Sequence, residues 1–399
     1  MQINSGANRG STGRIADQIG ATAIERGHCS ALAYGRNAQP GVSDYYRIGG
    51  HFNSLIHGFE SVLADRHGLG SQMATKRLVN WLHAQAPDAV GLHNIHGYYL
   101  NYPILFDFIR RAGLPVLWTL HDCWPFTGHC SYFDRFDCLK WQKECHDCPM
   151  TSYYPRSLLD FSRRNFRLKK SVFCGISKLV IVTPSRWLKA NVQQSFLSEY
   201  PIEVVHNGID LKVFRPAEKC VSDSLILGVA NTWDDRKGLR DFVKLRDLIS
   251  RSIRIVLIGV TKSQKRQLPP GVSGIERTES IQELVSWYQK ASVFLNPTYS
   301  DNFPTTNLEA LACGLPVVTY NVGGSPESLD HETGRVIEPG DIEGLARAIG
   351  ELARGDRQAI SAACRARAEA LFNKDDRFAD YVDLYEALVS ESSNRMNGS

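Results

Sequence analysis

Val293-Phe-Leu-Asn296, followed at once by Tyr299-Ser-Asp-Asn-Phe-Pro-Thr-Thr-Asn-Leu-Glu309, is the stretch on which the reading of this fold turns. The first four residues are a short, mainly apolar run of the kind that forms a buried parallel strand. The following segment enters a short helix that Gly314 and Pro316 end. Asp301 is then expected on the loop and Glu309 in the first helical turn, two carboxylates across one strand-to-helix junction. In open α/β sheets ligands bind at the carboxyl ends of strands, where helix N-termini offer unpaired N–H groups. Glu309 has two readings. It either closes a capping box with Thr306 or faces a ligand.

Working outward, 399 residues exceed one ordinary core and suggest two to three domains. A hydrophobic content of 43% with 22% charged residues is that of a globular protein. No run of about 18 apolar residues and no charged-then-apolar leader is found, so a cytoplasmic location is expected, peripheral at the inner face of the plasma membrane only if the basic segment 156–189 meets anionic lipid. The net charge of +4 is uneven: residues 1–200 hold 22 Lys+Arg against 14 Asp+Glu, leaving 24 against 28 for the rest. Nine cations between Arg156 and Lys189 face the single acid Asp160. With apolar residues interleaved, 156–189 is either a basic amphipathic helix for anionic lipid or a solvated helix with an ordinary core face. No binding-motif spacing accompanies the charge, so nucleic acid is not an expected partner.

Along the chain, Met1 to Asn4 is short for a first strand, so the native chain is expected to begin a few residues earlier. Ser5 to Arg14 reads as a glycine-bearing strand-to-helix loop, and helical periodicity runs over Ile15 to Glu25. Strands are expected at Ser30–Tyr34, Asp88–His93, Val116–Leu120, Leu179–Thr183 and Ile202–Val205, with helices at Gln72–Ala86 and Pro103–Ala112. This alternation predicts a parallel, right-handed βαβ sheet. Leu225–Ala230 opens a second such half, with strands at Arg254–Ile258 and Val293–Asn296 and helices at Leu239–Ser250 and Ile281–Lys290. Three more helices, about Ile342 to Leu352, Ala359 to Phe372 and Asp376 to Leu388, lead to a polar tail from Ser390 that reads as frayed.

Three further groups bear on chemistry. Strand Val116–Leu120 delivers His121-Asp122 at its carboxyl end, where a polar pair is costly unless used or paired. Trp233-Asp-Asp-Arg-Lys-Gly238 places Arg236 and Lys237 before a helix start, suited to a diphosphate. Five cysteines fall between Cys123 and Cys148. Cys145-His-Asp-Cys148 has C-x2-C spacing, and Cys130 and Cys138 complete a candidate four-thiolate structural zinc site; free thiols and disulfides are the alternatives.

The loop from Tyr299, then Glu309-Ala-Leu-Ala-Cys-Gly-Leu-Pro-Val-Val318 and Val322-Gly-Gly-Ser-Pro-Glu327, resembles the C-terminal signature of glycosyltransferase family 4, and among its members the bacterial colanic-acid and exopolysaccharide transferases. The resemblance implies a GT-B architecture: α/β, two Rossmann-like domains with parallel sheets facing a central cleft. Residues 1–200 would be the acceptor domain with a Cys-rich insertion at 123–148, 201–372 the donor domain, and 373–399 a helix crossing back with its frayed tail. It implies a retaining hexosyltransferase moving sugar from a UDP- or GDP-sugar co-substrate to a lipid-linked glycan. No D-x-D pattern in a metal-holding setting occurs, so no catalytic metal is expected. By resemblance His121, Arg236, Lys237 and Asp301 are catalytic, and Gly13, Arg14, Asn231, Asn302, Phe303 and Glu309 bind donor, with Asp122 orienting the His121 ring. Two positions depart from the family pattern: Asp301 stands where Glu is usual, and Asn231 where many members carry Arg. A sugar-nucleotide epimerase or hydrolase, or a noncatalytic binding protein, are the alternative readings.

Overall fold

A computed structural model describes residues 1–218 and 224–397. The chain forms two compact units, the first made of Met1–Val205 and the chain from Arg377, the second of His206–Asp376.

The first unit holds strands β1 (Gln2–Ala7), β2 (Ala31–Ala38), β3 (Asp44–Arg47), β4 (Val90–Leu92), β5 (Val116–Thr119), β6 (Leu179–Thr183) and β7 (Ile202–Val204). Its helices are α1 (Gly10–Glu25), α2 (His51–Ala64), α3 (Gln72–Gln85), α4 (Tyr102–Ala112), α5 (Ser162–Phe173) and α6 (Arg186–Gln193). The strands are parallel in the order β3-β2-β1-β4-β5-β6-β7. The second unit holds β8 (Leu225–Val229), β9 (Arg254–Ile258), β10 (Val272–Ile275), β11 (Val293–Asn296), β12 (Val317–Tyr320) and β13 (Gly334–Ile337). With α7 (Leu239–Leu248), α8 (Lys262–Gln267), α9 (Ile281–Lys290), α10 (Thr305–Ala312), α11 (Ile342–Arg354) and α12 (Arg357–Phe372), it orders its strands β10-β9-β8-β11-β12-β13. Both sheets are doubly wound, because apolar strands buried on both faces must be covered by helices on both sides. Strand order reverses between β1 and β4 in one sheet and between β8 and β11 in the other. Those are the places where adjacent loops diverge and leave room for a ligand.

Several sequence expectations change. The loop expected at Ser5–Arg14 shrinks to Asn8 and Arg9, because β1 pairs with both β2 and β4 and runs to Ala7. The polar tail is helical, not frayed, as far as Asn397, in α13 (Lys374–Asn397); residues 398–399 lie outside the described residues. Phe378, Tyr381 and Leu388 of that helix pack on Ile15, Ile19, Leu117 and Val182 of the first unit, which removes their apolar surface from water.

The four-thiolate zinc site expected at Cys130, Cys138, Cys145 and Cys148 is not assembled. Among the described residues no group of three or more His, Cys, Asp or Glu side chains could hold a metal. Three of the four thiols are engaged otherwise: Cys145 Sγ accepts the Gly128 N–H at 3.2 Å, and Cys130 and Cys148 are hydrogen-bonded to each other. That bond from Cys130 pulls the Cys148 thiol down to about 7. The segment also has an aromatic core of its own. Trp141 lies 5.0 Å from Phe126 and 4.8 Å from Phe133, ring centre to ring centre, and Phe133 stacks on Trp187 at 5.9 Å. Aromatic rings bury as much surface as aliphatic side chains and pack edge to face, so packing helps to order the loop.

Candidate functional site

The second unit brings Arg236, Lys237 and Asp301 together at the β8/β11 reversal. Asp234 accepts hydrogen bonds from the Arg236 and Lys237 N–H groups at 3.1 and 3.2 Å, tightening a single turn. Gly238 ends it at φ +71°, where an added Cβ would meet the Pro297 carbonyl at 2.1 Å. Only glycine permits both the left-handed backbone and the close approach of the two loops. They are then cross-linked: Tyr299 N–H donates to Arg236 O at 2.8 Å, and the Arg236 guanidinium donates to Ser300 O at 2.7 Å. Lys237 Nζ donates to Asp301 Oδ2 at 2.7 Å, with Arg236 3.8 Å from the same oxygen.

Burial alone would raise the Asp301 carboxyl, but the Lys237 ammonium, the Arg236 guanidinium and the Phe303 N–H together hold it below the usual range. The Lys237 and Asp301 side chains keep 18% and 20% of their surface exposed, so a ligand can still reach them. The Val322-Gly-Gly-Ser loop closes over the Asp301 backbone. Gly324 N–H donates to Asp301 O at 3.2 Å, and a Cβ on Gly323, at φ +54°, would stand 1.8 Å from that oxygen.

Glu309 is placed differently from its sequence expectation. Helix α10 begins at Thr305 behind Pro304 with no side-chain cap, so the Thr306–Glu309 capping box does not form and Glu309 falls in the second turn. The residue is only 8% exposed, and its carboxylate accepts the Tyr288 hydroxyl at 2.7 Å. Burial, then the Glu309 charge, drives the Tyr288 phenol well above its ordinary value, so it remains a donor. Asn302 is buried. Phe303 is core: its ring stacks on His206 at 4.7 Å and meets Phe372 edge-on. Asn231 is exposed just beyond β8.

In the first unit the β1/β4 reversal carries histidines rather than a charge pair. His121, after β5, shares a 3.0 Å bond between its Nε2 and His93 Nδ1, the rings stacked at 5.3 Å. His93 Nε2 in turn meets Gln2 Oε1 at 2.7 Å. Burial depresses His121 to about 4, so its ring is neutral near pH 7. Asp122 does not orient His121, as expected from sequence. Its Oδ2 stands 2.9 Å from His96 Nε2, and its Oδ1 accepts the Trp124 N–H at 3.0 Å. The other His96 nitrogen meets the Tyr154 hydroxyl at 3.2 Å. Gly13 is buried in the first turn of α1, its carbonyl accepting the Asn8 N–H at 3.1 Å, and Arg14 is exposed on the next position.

His93, His96 and Tyr288 were missed from sequence. The first two carried a signal, since they follow β4 as His121 follows β5; Tyr288 looks like any buried position of an amphipathic helix.

The fold has solved counterparts along its whole length. Sucrose-phosphate synthase of Thermosynechococcus elongatus superposes with a TM-score of 0.70 at 17% identity, covering 98% of each chain. Anabaena Alr3699/HepE in complex with UDP gives 0.66 at 13% identity, covering 97% of this chain and 98% of that one. Two doubly wound units of this kind define the GT-B fold. Family models match in tandem, Glycosyltransferase Family 4 over residues 25–213 and Glycosyl transferases group 1 over residues 223–354. The chain belongs to these glycosyltransferases. It is 22% identical over 321 residues to the protein named "Putative colanic acid biosynthesis glycosyl transferase WcaC" of Escherichia coli, covering 76% of this chain and 77% of that protein. It is 30% identical over 220 residues to the D-inositol 3-phosphate glycosyltransferase of Mycobacterium avium, spanning 49% of this chain and about half, 52%, of that relative.

Proposed function

We propose that the chain is a retaining hexosyltransferase that moves a sugar from a UDP- or GDP-sugar to a hydroxyl of a lipid-linked oligosaccharide in bacterial surface-polysaccharide assembly. The observation that carries this reading is the 2.7 Å pair of Lys237 and Asp301, with Arg236 beside it, at the strand-order reversal of the second unit. As the sugar–phosphate bond breaks, negative charge builds on the diphosphate. Lys237 and Arg236 are already fixed in place and so meet that charge without reorganising. Asp301 stays ionised through the neutral range and accepts hydrogen bonds from sugar hydroxyls. Glu309 accepts from the ribose. Gly13, Arg14 and His121 keep the roles that the family resemblance gives them. The acceptor oxygen attacks the anomeric carbon from the face the diphosphate leaves, its proton passing to the departing diphosphate, and protein cations do the work elsewhere given to a metal.

The UDP complex of the Anabaena neighbour and the polysaccharide name of the Escherichia coli relative support the donor and pathway class. A panel of nucleotide sugars, assayed for nucleotide release with and without a lipid-linked glycan, tests the reading. Release that depends on acceptor is expected. Equal release without acceptor would make the protein a hydrolase, and donor binding with no release a noncatalytic one.

A further inference from the structure

Helix α2 is inside out. Its fully buried positions are the polar His57 and Ser61, and its large apolar side chains face solvent: Phe52, Leu55, Ile56, Phe59 and Leu63 are 75%, 57%, 46%, 66% and 40% exposed. Their spacing of three, four, seven and eleven residues from Phe52 draws one stripe along a helix. The orientation is locked, because His57 Nε2 accepts the Gly68 and Gly70 N–H groups at 3.1 and 3.2 Å and its Nδ1 meets Ser71 Oγ at 2.8 Å. Leu158 and Leu159, 64% and 51% exposed, extend the apolar surface, tied to the helix by the Leu158 N–H to Val62 O bond of 2.7 Å.

A cationic depression adjoins this surface. Arg66, Lys76 and Arg164 line a cavity of about 410 Å³ together with Asn101, Leu69 and Leu168, and no acid lines it. Arg66 stands two residues past the end of α2, after the C-cap Asp65, and the Arg164 guanidinium lies 5.9 Å from the ring of the exposed Phe161. Glu60, 3.6 Å from Arg66, is the acid at its rim. A contiguous apolar stripe edged by three cations and a single acid is the chemistry of an interface helix on an anionic lipid surface. Helix α5, for which the sequence left open either such a contact or an ordinary core face, turns Phe166 and Phe173 into the core.

We infer that the first unit docks on an anionic bilayer through α2, the stripe entering the headgroup boundary and Arg66, Lys76 and Arg164 receiving a phospholipid phosphate. This deepens the lipid-linked acceptor reading, since it would hold the enzyme on the surface that presents such an acceptor. Co-flotation of the full chain with vesicles of phosphatidylcholine, alone or with phosphatidylglycerol, tests it. Wild-type protein should float with the anionic vesicles only, and added salt should release it. A Phe52→Ser/Leu55→Ser/Phe59→Ser variant should lose at least about tenfold in partitioning. Each of Arg66→Gln, Lys76→Gln and Arg164→Gln should lose roughly fivefold, at about 1 kcal/mol per surface cation, with helical circular dichroism and soluble-donor binding retained. Failure to float, equal flotation with neutral vesicles, or release by millimolar inorganic phosphate at constant ionic strength would overturn it. So would a sedimentation shift from dimer to monomer in the stripe variant without loss of flotation, which would assign the stripe to a second copy. Soluble-donor turnover is read separately, so loss of docking and loss of the transferase reading are distinguishable.

Discussion

The two units share one topology and place opposite electrostatics at the equivalent point. At the β8/β11 reversal a complementary charge pair, Lys237 and Asp301, stays partly wet and ionised. At the β1/β4 reversal the polar groups are imidazoles packed against one another, with burial holding His93 well below and His121 at about 4. A doubly wound sheet supplies a crevice, and the side chains on the two loops decide whether it suits a dianion or a neutral, hydroxyl-rich partner.

The largest effect should come from breaking the charged end. Lys237→Ala should lower turnover by about two orders of magnitude, as removal of one preorganised donor does elsewhere, with the thermal midpoint nearly unchanged because the pair is partly exposed. Near-wild-type turnover would take Lys237 out of the site. Next, Glu309→Gln should weaken donor affinity by roughly tenfold, about the worth of one charged hydrogen bond, in a calorimetric titration with UDP. A fall in melting temperature with unchanged affinity would reduce Glu309 to a structural partner of Tyr288.

Acid should separate the two ends. A histidine depressed in the folded state contributes stability that is complete above its unfolded value of about 6.5 and is lost as pH falls toward the folded value. His57 and His121, both at about 4 through burial, therefore weaken the first unit between about pH 6.5 and 4. Asp301, depressed instead, holds its contribution until pH falls below the ordinary carboxylate range of about 3.9. Hydrogen exchange across that interval should show first-unit amides opening before those around Lys237, and His93→Gln should flatten the slope; simultaneous opening would erase the contrast. The smallest effect is mechanical. Gly323→Ala, at φ +54° against the Asp301 carbonyl, should cost about 1–3 kcal/mol of stability in chemical denaturation, and an unchanged midpoint would show that the loop yields.

The strand-and-glycine punctuation of the second unit was readable because its signals are local. β9, β11 and α9 occur at their expected residues, Arg254–Ile258, Val293–Asn296 and Ile281–Lys290. Strands β12 and β13 went unread, since four-residue runs beside Gly314 and Gly334 resemble loops until a neighbour pairs with them. The misread partners share one cause. Asp122 turning to His96, Glu309 to Tyr288, and the cysteines to one another are choices among side chains far apart in the chain, and periodicity carries no information about them. Helix α2 was passed over because an apolar stripe looks the same whichever way it faces.

By itself the sequence determined the alternation of strand and helix, the two-unit plan and the charge-bearing loop at Arg236–Lys237, because backbone sterics, periodicity and turn residues act over a few positions. Only the tertiary structure decided which carboxylate holds which cation, that the four thiols do not gather into a metal-holding group among the described residues, and that α2 shows its apolar face to solvent. Those outcomes depend on which groups share a desolvated space, and the energy of a pairing is set only when the folded chain removes the water between its members.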